Sequence, residues 1–229
     1  MNMPQGRKLR VAMTLGQGSQ VIDVAGPWEV FQDVRVKGES PFELYTVGSS
    51  RDMVVMSGGM QIIPNYSVED APQPDIIVSP AHENCRLINA WIKRSSVASD
   101  IVSSVCTGAY NLAEAGLLDG LTITTYHQSF DSMRKKYPQV NVHRDLRFVD
   151  QGQIITSGGL TSCIDMSLHI VRRYFGFEVA QETADILEYE GQGWKHSLGL
   201  KPPRCVAANG QPMETGRSCV WPVPYNQSD

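Results

Sequence analysis

The residues with the clearest chemical potential lie in the segment DIVSSVCTGAYNLAEAGLLDG, residues 100–120. A strand is predicted over residues 100–105, and it leads directly into Cys106. After Thr107 and Gly108 the pattern predicts a helix. Such a turn holds a nucleophile in a strained conformation with its side chain pointing away from the sheet. The free amides at the helix start favour a lowered pKa for the Cys106 thiol. Cys106 is therefore the candidate nucleophile, and its alternative role is that of a small buried apolar residue.

A nucleophilic thiol needs a partner for proton transfer, and the sequence offers three candidates. Asp23 in QVIDVAGPWEV lies among apolar neighbours, in a loop predicted to precede a helix that begins near Pro27. Its carboxylate is either a helix N-terminal stabiliser or a cleft acid with a raised pKa. His127 in TITTYHQSF and His82 in SPAHEN are candidate bases, with a surface or loop role as the alternative.

Strands and helices alternate along the chain. Strands are predicted at residues 8–15, 42–49, 74–81 and 100–105, and an extended stretch at residues 121–127. Helices are predicted from near residue 27, at residues 85–95 and 107–118, over SFDSMRKKY, and at residues 161–175. A hairpin-like excursion is expected near residues 57–59, and a hairpin with its turn at residues 150–152. Residues 8–190 are therefore assigned to one α/β domain, and the Pro-rich residues 191–229 to an irregular tail.

This alternation predicts a doubly wound, mostly parallel sheet with helices on both faces, because parallel neighbours need helical crossovers. In such sheets ligands collect outside the carboxyl ends of the strands. Asp23, Ala81 and Cys106 are all expected at that edge. The first free amides of the helix after Cys106 are directed at a negative charge that develops there.

Composition narrows the function classes. The chain has 229 residues, a formal net charge of −4 and 41% hydrophobic residues, which indicates a globular protein rather than one that binds nucleic acid directly. No apolar run is long enough to span a membrane. The first ten residues lack an export signal, so we expect a cytoplasmic protein unless such a signal has been removed.

Cysteine usage fits a reducing compartment. The five cysteines are odd in number and show no zinc-ligand spacing, so mostly free thiols and no metal site are expected. A disulfide between Cys205 and Cys219 is the alternative if the protein is exported.

Several segments resemble the ThiJ/PfpI superfamily, which has a class I glutamine amidotransferase-like, flavodoxin-like fold in three layers. The segments are QVIDVAGPWEVF, DIIVSPA, SVCTGAYNLAEAGLLDG, TITTYH and IITSGGLTSCIDMSLHIV. Within it the chain is similar to isocyanide hydratases and to the sensor domains of AraC-type regulators. The resemblance implies a homodimer acting on a small molecule without metal or organic cofactor. The helix-turn-helix unit of the regulators has no counterpart in this sequence, which disfavours DNA binding.

The resemblance also implies roles for individual residues. Cys106 matches the nucleophile and Thr107 the threonine that follows it, and Asp23 matches the general acid/base. The expected pocket residues are Ala81, His82, Gly108 and Gly26. The implied reaction is the addition of water to an isocyanide to give an N-substituted formamide, with the backbone amides at Thr107 and Ala81 steadying the developing charge.

Two positions differ from the usual pattern of the superfamily. Relatives usually carry Pro-Gly-Gly where this chain has Pro80-Ala81-His82, so larger side chains approach the thiol. Tyr126 stands where a histidine is common, which leaves His127 and Tyr126 as minor candidates. A PfpI-like hydrolase or amidase and a ligand- or redox-sensing domain therefore remain alternatives to the hydratase.

Overall fold

In the computed structural model, which describes residue 4 and residues 6–195, the chain folds around a seven-stranded sheet. The strand order is β10-β11-β7-β6-β1-β2-β5, and every pair is parallel except β10 with β11. These strands are β1 (Leu9–Leu15), β2 (Phe42–Gly48), β5 (Tyr66–Ser67), β6 (Ile76–Ser79), β7 (Ile101–Ser104), β10 (Phe148–Asp150) and β11 (Ile154–Ser157). Two short pairs lie outside the sheet: β3 (Val54–Val55) with β4 (Gln61–Ile62), and β8 (Thr122–Ile123) with β9 (Asn141–Val142).

Helices cover both faces of the sheet, as the alternation of strands and helices predicted. They are α1 (Val21–Asp33), α2 (Arg86–Ser96), α3 (Ala109–Glu114), α4 (Phe130–Lys136), α5 (Ser162–Phe175) and α6 (Phe177–Ile186). None of the helices in the described part of the chain is long and apolar enough to cross a membrane. The doubly wound fold with a mostly parallel sheet is therefore confirmed.

Each face of the sheet has its own apolar core, because successive side chains of a strand point to opposite faces. On one face, Met13 of β1 packs with residues of α1 and α5 such as Phe31 and Leu168. On the other face, Ala12 packs with residues of α2 and α3 such as Trp91 and Leu112. The two cores fix the strand ends that carry the candidate site.

Three helix boundaries differ from the sequence-based prediction. Helix α1 begins at Val21 rather than near Pro27, so Asp23 lies in its first turn and not in a loop. Its first amide finds a distant partner, since Val21 N–H donates to Ser57 Oγ at 3.1 Å. A 3-10 turn, Cys106–Gly108, precedes α3, which ends at Glu114 instead of residue 118. Helix α6 was not predicted at all.

Packed structure continues past residue 190, where the irregular tail was predicted to begin. A 3-10 turn at Gly193–Lys195 buries Trp194 completely and stacks its ring on Phe177, with 5.4 Å between the centroids. The backbone N–H of Trp194 donates to Oδ1 of the buried Asp165 carboxylate at 2.8 Å. The rest of the predicted tail, with Cys205 and Cys219, lies outside the described residues.

Candidate active site

Cys106 lies at a tight corner between β7 and α3, which we call the elbow (residues 105–108). Its φ angle of 57° is in the left-handed region, a strained conformation for a residue with a side chain. Two hydrogen bonds from neighbouring segments hold the backbone of Cys106 in this conformation. Cys106 N–H donates to Gly158 O at 3.0 Å, and Thr125 Oγ1 donates to Cys106 O at 2.7 Å. The elbow therefore has the strained backbone conformation that the sequence predicted at Cys106.

Gly108 completes the elbow through close backbone contact. A Cβ atom at this position would lie 2.1 Å from Ser79 O, so a larger residue would push the elbow away from β6. Gly108 thus allows the elbow to lie close to the end of β6.

The Cys106 sulfur lies among polar groups of two segments, although only 8% of the residue is exposed. The Thr107 amide, the Leu160 amide and the Thr107 hydroxyl favour its ionised form and so act to lower the pKa of the Cys106 thiol. Leu160 also has a left-handed φ of 50°, and it follows Gly159 at the end of the neighbouring strand β11. Leu160 was not among the site residues predicted from the sequence. The available signal was the Ser-Gly-Gly-Leu run after a strand predicted to end at the same sheet edge.

Asp23 is fully buried in the first turn of α1. Its Oδ2 accepts a hydrogen bond from Ala81 N–H at 3.1 Å, and Oδ1 has no hydrogen-bond partner among the described residues. Burial raises the pKa of the Asp23 carboxyl to about 7, and the Ala81 amide opposes this rise. Of the two roles considered from sequence, the structure favours an acid with a raised pKa, poised to exchange a proton near neutrality.

The pKa of the Cys106 thiol is raised rather than lowered, so the prediction from sequence was wrong in direction. Burial, and then the negative charge of Asp23, raise this pKa to about 11. The amides and hydroxyl around the sulfur oppose the rise but do not outweigh it. Since Asp23 has the lower pKa, the resting proton of the pair resides on sulfur.

Ala81 and Gly26 shape the site through their backbones. The Ala81 amide, expected to steady a developing charge, is instead engaged by Asp23. A Cβ atom on Gly26 would lie 2.4 Å from Cys163 Sγ, so this glycine permits α1 to approach α5 closely. Cys163 is fully buried, and burial and the Asp23 charge raise the pKa of its thiol.

His82 contacts α3, the helix that follows the elbow, rather than the Cys106 sulfur. Its ring lies between Glu83 O, 2.7 Å from Nδ1, and the side chain of Asn111 in α3, 3.0 Å from Nε2. Burial lowers the pKa of His82. His82 therefore carries no positive charge near neutrality with which to stabilise a thiolate.

Tyr126 lies beside Gly159, and His127 packs against Tyr126. A Cβ atom on Gly159 would be 2.8 Å from Tyr126 Cδ2 and 3.8 Å from Cys106 Sγ, so the Tyr126 ring lies near the sulfur. His127 is exposed and packs its ring against Tyr126, with 4.5 Å between the centroids. In the part of the chain that the structure describes, no cluster of histidine, cysteine and acidic side chains has the arrangement of a metal site.

Residues 9–173 match the model of the DJ-1/PfpI family. The chain belongs to the DJ-1/PfpI family. It is 29% identical to an isonitrile hydratase of Pseudomonas putida, over 79% of this chain and 78% of the hydratase. It is 26% identical to the HTH-type transcriptional regulator GbdR of Pseudomonas aeruginosa, over 74% of this chain and 50% of the regulator.

Solved structures agree with the fold of the DJ-1/PfpI family. A ThiJ/PfpI family protein from Pseudomonas syringae superposes with a TM-score of 0.72 at 22% identity, covering 83% of this chain and 78% of that protein. The match to GbdR spans only about half of the regulator's length. The family thus includes both enzymes and regulators among the relatives of this chain.

The buried Asp23 carboxyl predicts a pH-dependent stability. Its folded pKa of about 7 lies above its ordinary value of 3.8, so its stabilising effect is complete below about pH 4 and is lost as the pH rises to 7. The variant Asp23→Asn stays neutral and should avoid this loss. Between pH 5 and pH 8 the wild type should lose on the order of 2 to 3 kcal/mol relative to Asp23→Asn, measured by urea unfolding.

Asp119→Asn is the matched control, because Asp119 is exposed. This control should follow the wild type across the pH range. Parallel stability curves for the wild type and Asp23→Asn would contradict a raised pKa at Asp23.

Proposed function

We propose that this protein is a cofactor-free cysteine enzyme that adds water to the terminal carbon of a small isocyanide, giving an N-substituted formamide. The observation that carries the proposal is the pairing of the Asp23 carboxyl with the Cys106 thiol. Asp23 is a buried carboxyl with a pKa of about 7, and its charge acts on a neighbouring thiol that retains its proton. Similarity to an isonitrile hydratase over most of both chains supports the same substrate class.

The first step joins the thiol to the substrate. Ionised Asp23 takes the proton from Cys106 as sulfur bonds to the terminal carbon of R–N≡C. The same proton then passes to that carbon, which yields the thioimidate R–N=CH–S–Cys106. This route needs no stable thiolate, because the base acts during bond formation.

The second step releases the product. Water attacks the thioimidate carbon and gives one proton to Asp23, which passes it to the substrate nitrogen. The C–S bond then breaks as the hydroxyl proton of the intermediate passes through Asp23 to sulfur, which returns the thiol, leaves R–NH–CHO and regenerates the Asp23 carboxylate. The Thr107 and Leu160 amides are placed to stabilise negative charge on sulfur as that bond forms and breaks.

The alternative enzymatic function, a hydrolase or amidase, would need a histidine or glutamate that activates the thiol. His127 is exposed and His82 is engaged by Asn111. Neither arrangement favours a cysteine-histidine pair.

A ligand-sensing domain is the second candidate function. The match to a transcriptional regulator over about half of that regulator's length favours it. Redox sensing is less favoured, because oxidation proceeds through the thiolate and this thiol retains its proton near neutrality.

Incubation of the purified protein with an alkyl isocyanide should produce the matching formamide. Cys106→Ser should abolish turnover, and Asp23→Asn should reduce it by about 10²- to 10⁴-fold. The value of kcat/KM should rise through about pH 7, because Asp23 must be ionised to accept the thiol proton. Formamide production can be followed by NMR or mass spectrometry.

Three outcomes distinguish the candidates. Absence of turnover by the wild type would overturn the hydratase. Saturable isocyanide binding without turnover would support the sensor. Undiminished turnover by Cys106→Ser would overturn every thiol mechanism.

We also propose that the protein forms a homodimer through the exposed face of α1 and the β3-β4 hairpin. Together they enclose an apolar cleft of about 290 Å³ lined by residues that include Trp28, Met56 and Ile62. Met60 and Ile63, which also line the cleft, are 54% and 67% exposed, so the apolar surface of the cleft extends into solvent. A second copy would bury this surface.

Sedimentation of the wild type should give a dimer at micromolar concentration. Ile63→Glu should weaken the dimer by at least about tenfold, because it would bury an unpaired charge in the contact. Val97→Glu is the control, since Val97 is 88% exposed at the end of α2 and should leave assembly unchanged. A monomeric wild type, or an Ile63→Glu variant that dimerises normally, would contradict this contact.

A further inference from the structure

The side chain of His82 belongs to a hydrogen-bond chain whose direction is fixed. Asn111 Nδ2 lies 3.3 Å from Pro80 O and 3.2 Å from Ser79 Oγ. Because a carbonyl oxygen only accepts hydrogen bonds, the Asn111 amide nitrogen must face this side. The same nitrogen lies 3.0 Å from His82 Nε2, which must therefore be the acceptor. His82 is a neutral imidazole with its hydrogen on Nδ1, donated to Glu83 O at 2.7 Å.

The His82 ring also fills a space that depends on glycine at position 16. A Cβ atom on Gly16 would lie 2.5 Å from His82 Nδ1 and 2.8 Å from Cγ. The ring thus packs directly on the backbone of the loop that follows β1. A glycine at position 82, as in the usual Pro-Gly-Gly pattern, would leave this contact and the Asn111 bond unmade.

Backbone hydrogen bonds flank the His82 contact on the same loop. Gln20 N–H donates to Ala81 O, and Glu83 N–H donates to Gln17 O, each at 2.9 Å. Ala81 N–H points to Asp23 Oδ2 between these two bonds. On the other side, Asn111 is part of the helix that begins just after Cys106. His82 therefore links the amide that holds Asp23 to the helix that follows the nucleophile.

We propose that His82 and Asn111 are positioning residues that hold the Ala81 amide against the Asp23 carboxylate, and so keep that group ready to accept the Cys106 proton. The part that concerns the thiol rests on the proposed function. The Ala81 hydrogen bond is the contact that lowers the pKa of Asp23 against the effect of burial. When the loop loosens, this contact weakens and the pKa of Asp23 rises above about 7.

The other titratable groups near the pair do not replace this contact. The Cys106 and Cys163 thiols feel the Asp23 charge, and burial keeps both neutral near pH 7. Glu83, next to His82, is exposed and contacts the Gly18 side of the loop. The effect on Asp23 is therefore transmitted through the Ala81 amide.

Two substitutions at His82 separate hydrogen bonding from packing. His82→Gln retains an acceptor for Asn111, whereas His82→Phe retains a ring beside Gly16 without an acceptor. The Asp23 carboxyl can be titrated by NMR with aspartate labelled at the side-chain carboxyl carbon, and its signal assigned by loss in Asp23→Asn. His82→Phe should raise this titration midpoint by about one pH unit, whereas His82→Gln should stay near the wild type.

The rise of kcat/KM with pH should shift in parallel with the Asp23 titration. Asn111→Leu removes the donor from the other side and should reproduce the shift, which keeps the test available if His82→Phe does not fold. An unchanged Asp23 midpoint in the folded variant would overturn the proposal, as would equal shifts in His82→Phe and His82→Gln. A shifted midpoint in a protein without isocyanide turnover would support the positioning role and refute the substrate.

Discussion

The chemistry of this site depends on the enclosure of one carboxyl group beside one thiol. Asp23 has no exposed surface, and the Ala81 amide is its hydrogen-bond partner among the described residues. Burial therefore disfavours its charge, and its charge in turn disfavours ionisation of Cys106. Above about pH 7 the pair holds a single negative charge, which resides on the Asp23 carboxylate. Such a pair suits a reaction in which a proton leaves sulfur as sulfur forms its bond.

The placement of Asp23 depends on contacts far away in sequence. Ser57 lies at the tip of the β3-β4 hairpin, and its Oγ accepts a hydrogen bond from the first N–H of α1. This bond allows the helix to start before Asp23. Ala81, after β6, supplies the amide that holds the carboxylate. The hairpin that supports α1 also carries the exposed apolar residues Met60 and Ile63. The proposed dimer contact through this hairpin would stabilise α1, the helix that carries Asp23.

Much of the fold was predictable because its signals are local. The strand that runs into Cys106-Thr107-Gly108 predicted the elbow, and the alternation of elements predicted the parallel sheet. Helix α1 was placed too late because it has no local side-chain cap, and its first N–H donates to Ser57, thirty-six residues away. Helix α6 was not predicted because the apolar pattern of α5 ends at Phe175, and α6 begins directly after Gly176.

The ionisation of the site was not predictable from local sequence. The amides after Cys106 predicted a lowered thiol pKa, but burial and Asp23 dominate, and both arise from tertiary packing. Leu160 was missed because its amide reaches the sulfur from another strand end. His82 was considered as a base, as a pocket residue and as a departure from a glycine pattern, but its contact with Asn111 was not predictable because the two become neighbours only in the folded chain.

The state of the resting thiol tests this account most directly. Thiolate absorbs in the ultraviolet, so a pH titration of the wild type minus that of Cys106→Ser isolates the ionisation of this one group. The account predicts no Cys106 thiolate near neutrality and a rise in absorbance only towards pH 11. A full thiolate signal from Cys106 already present below pH 7 would contradict it.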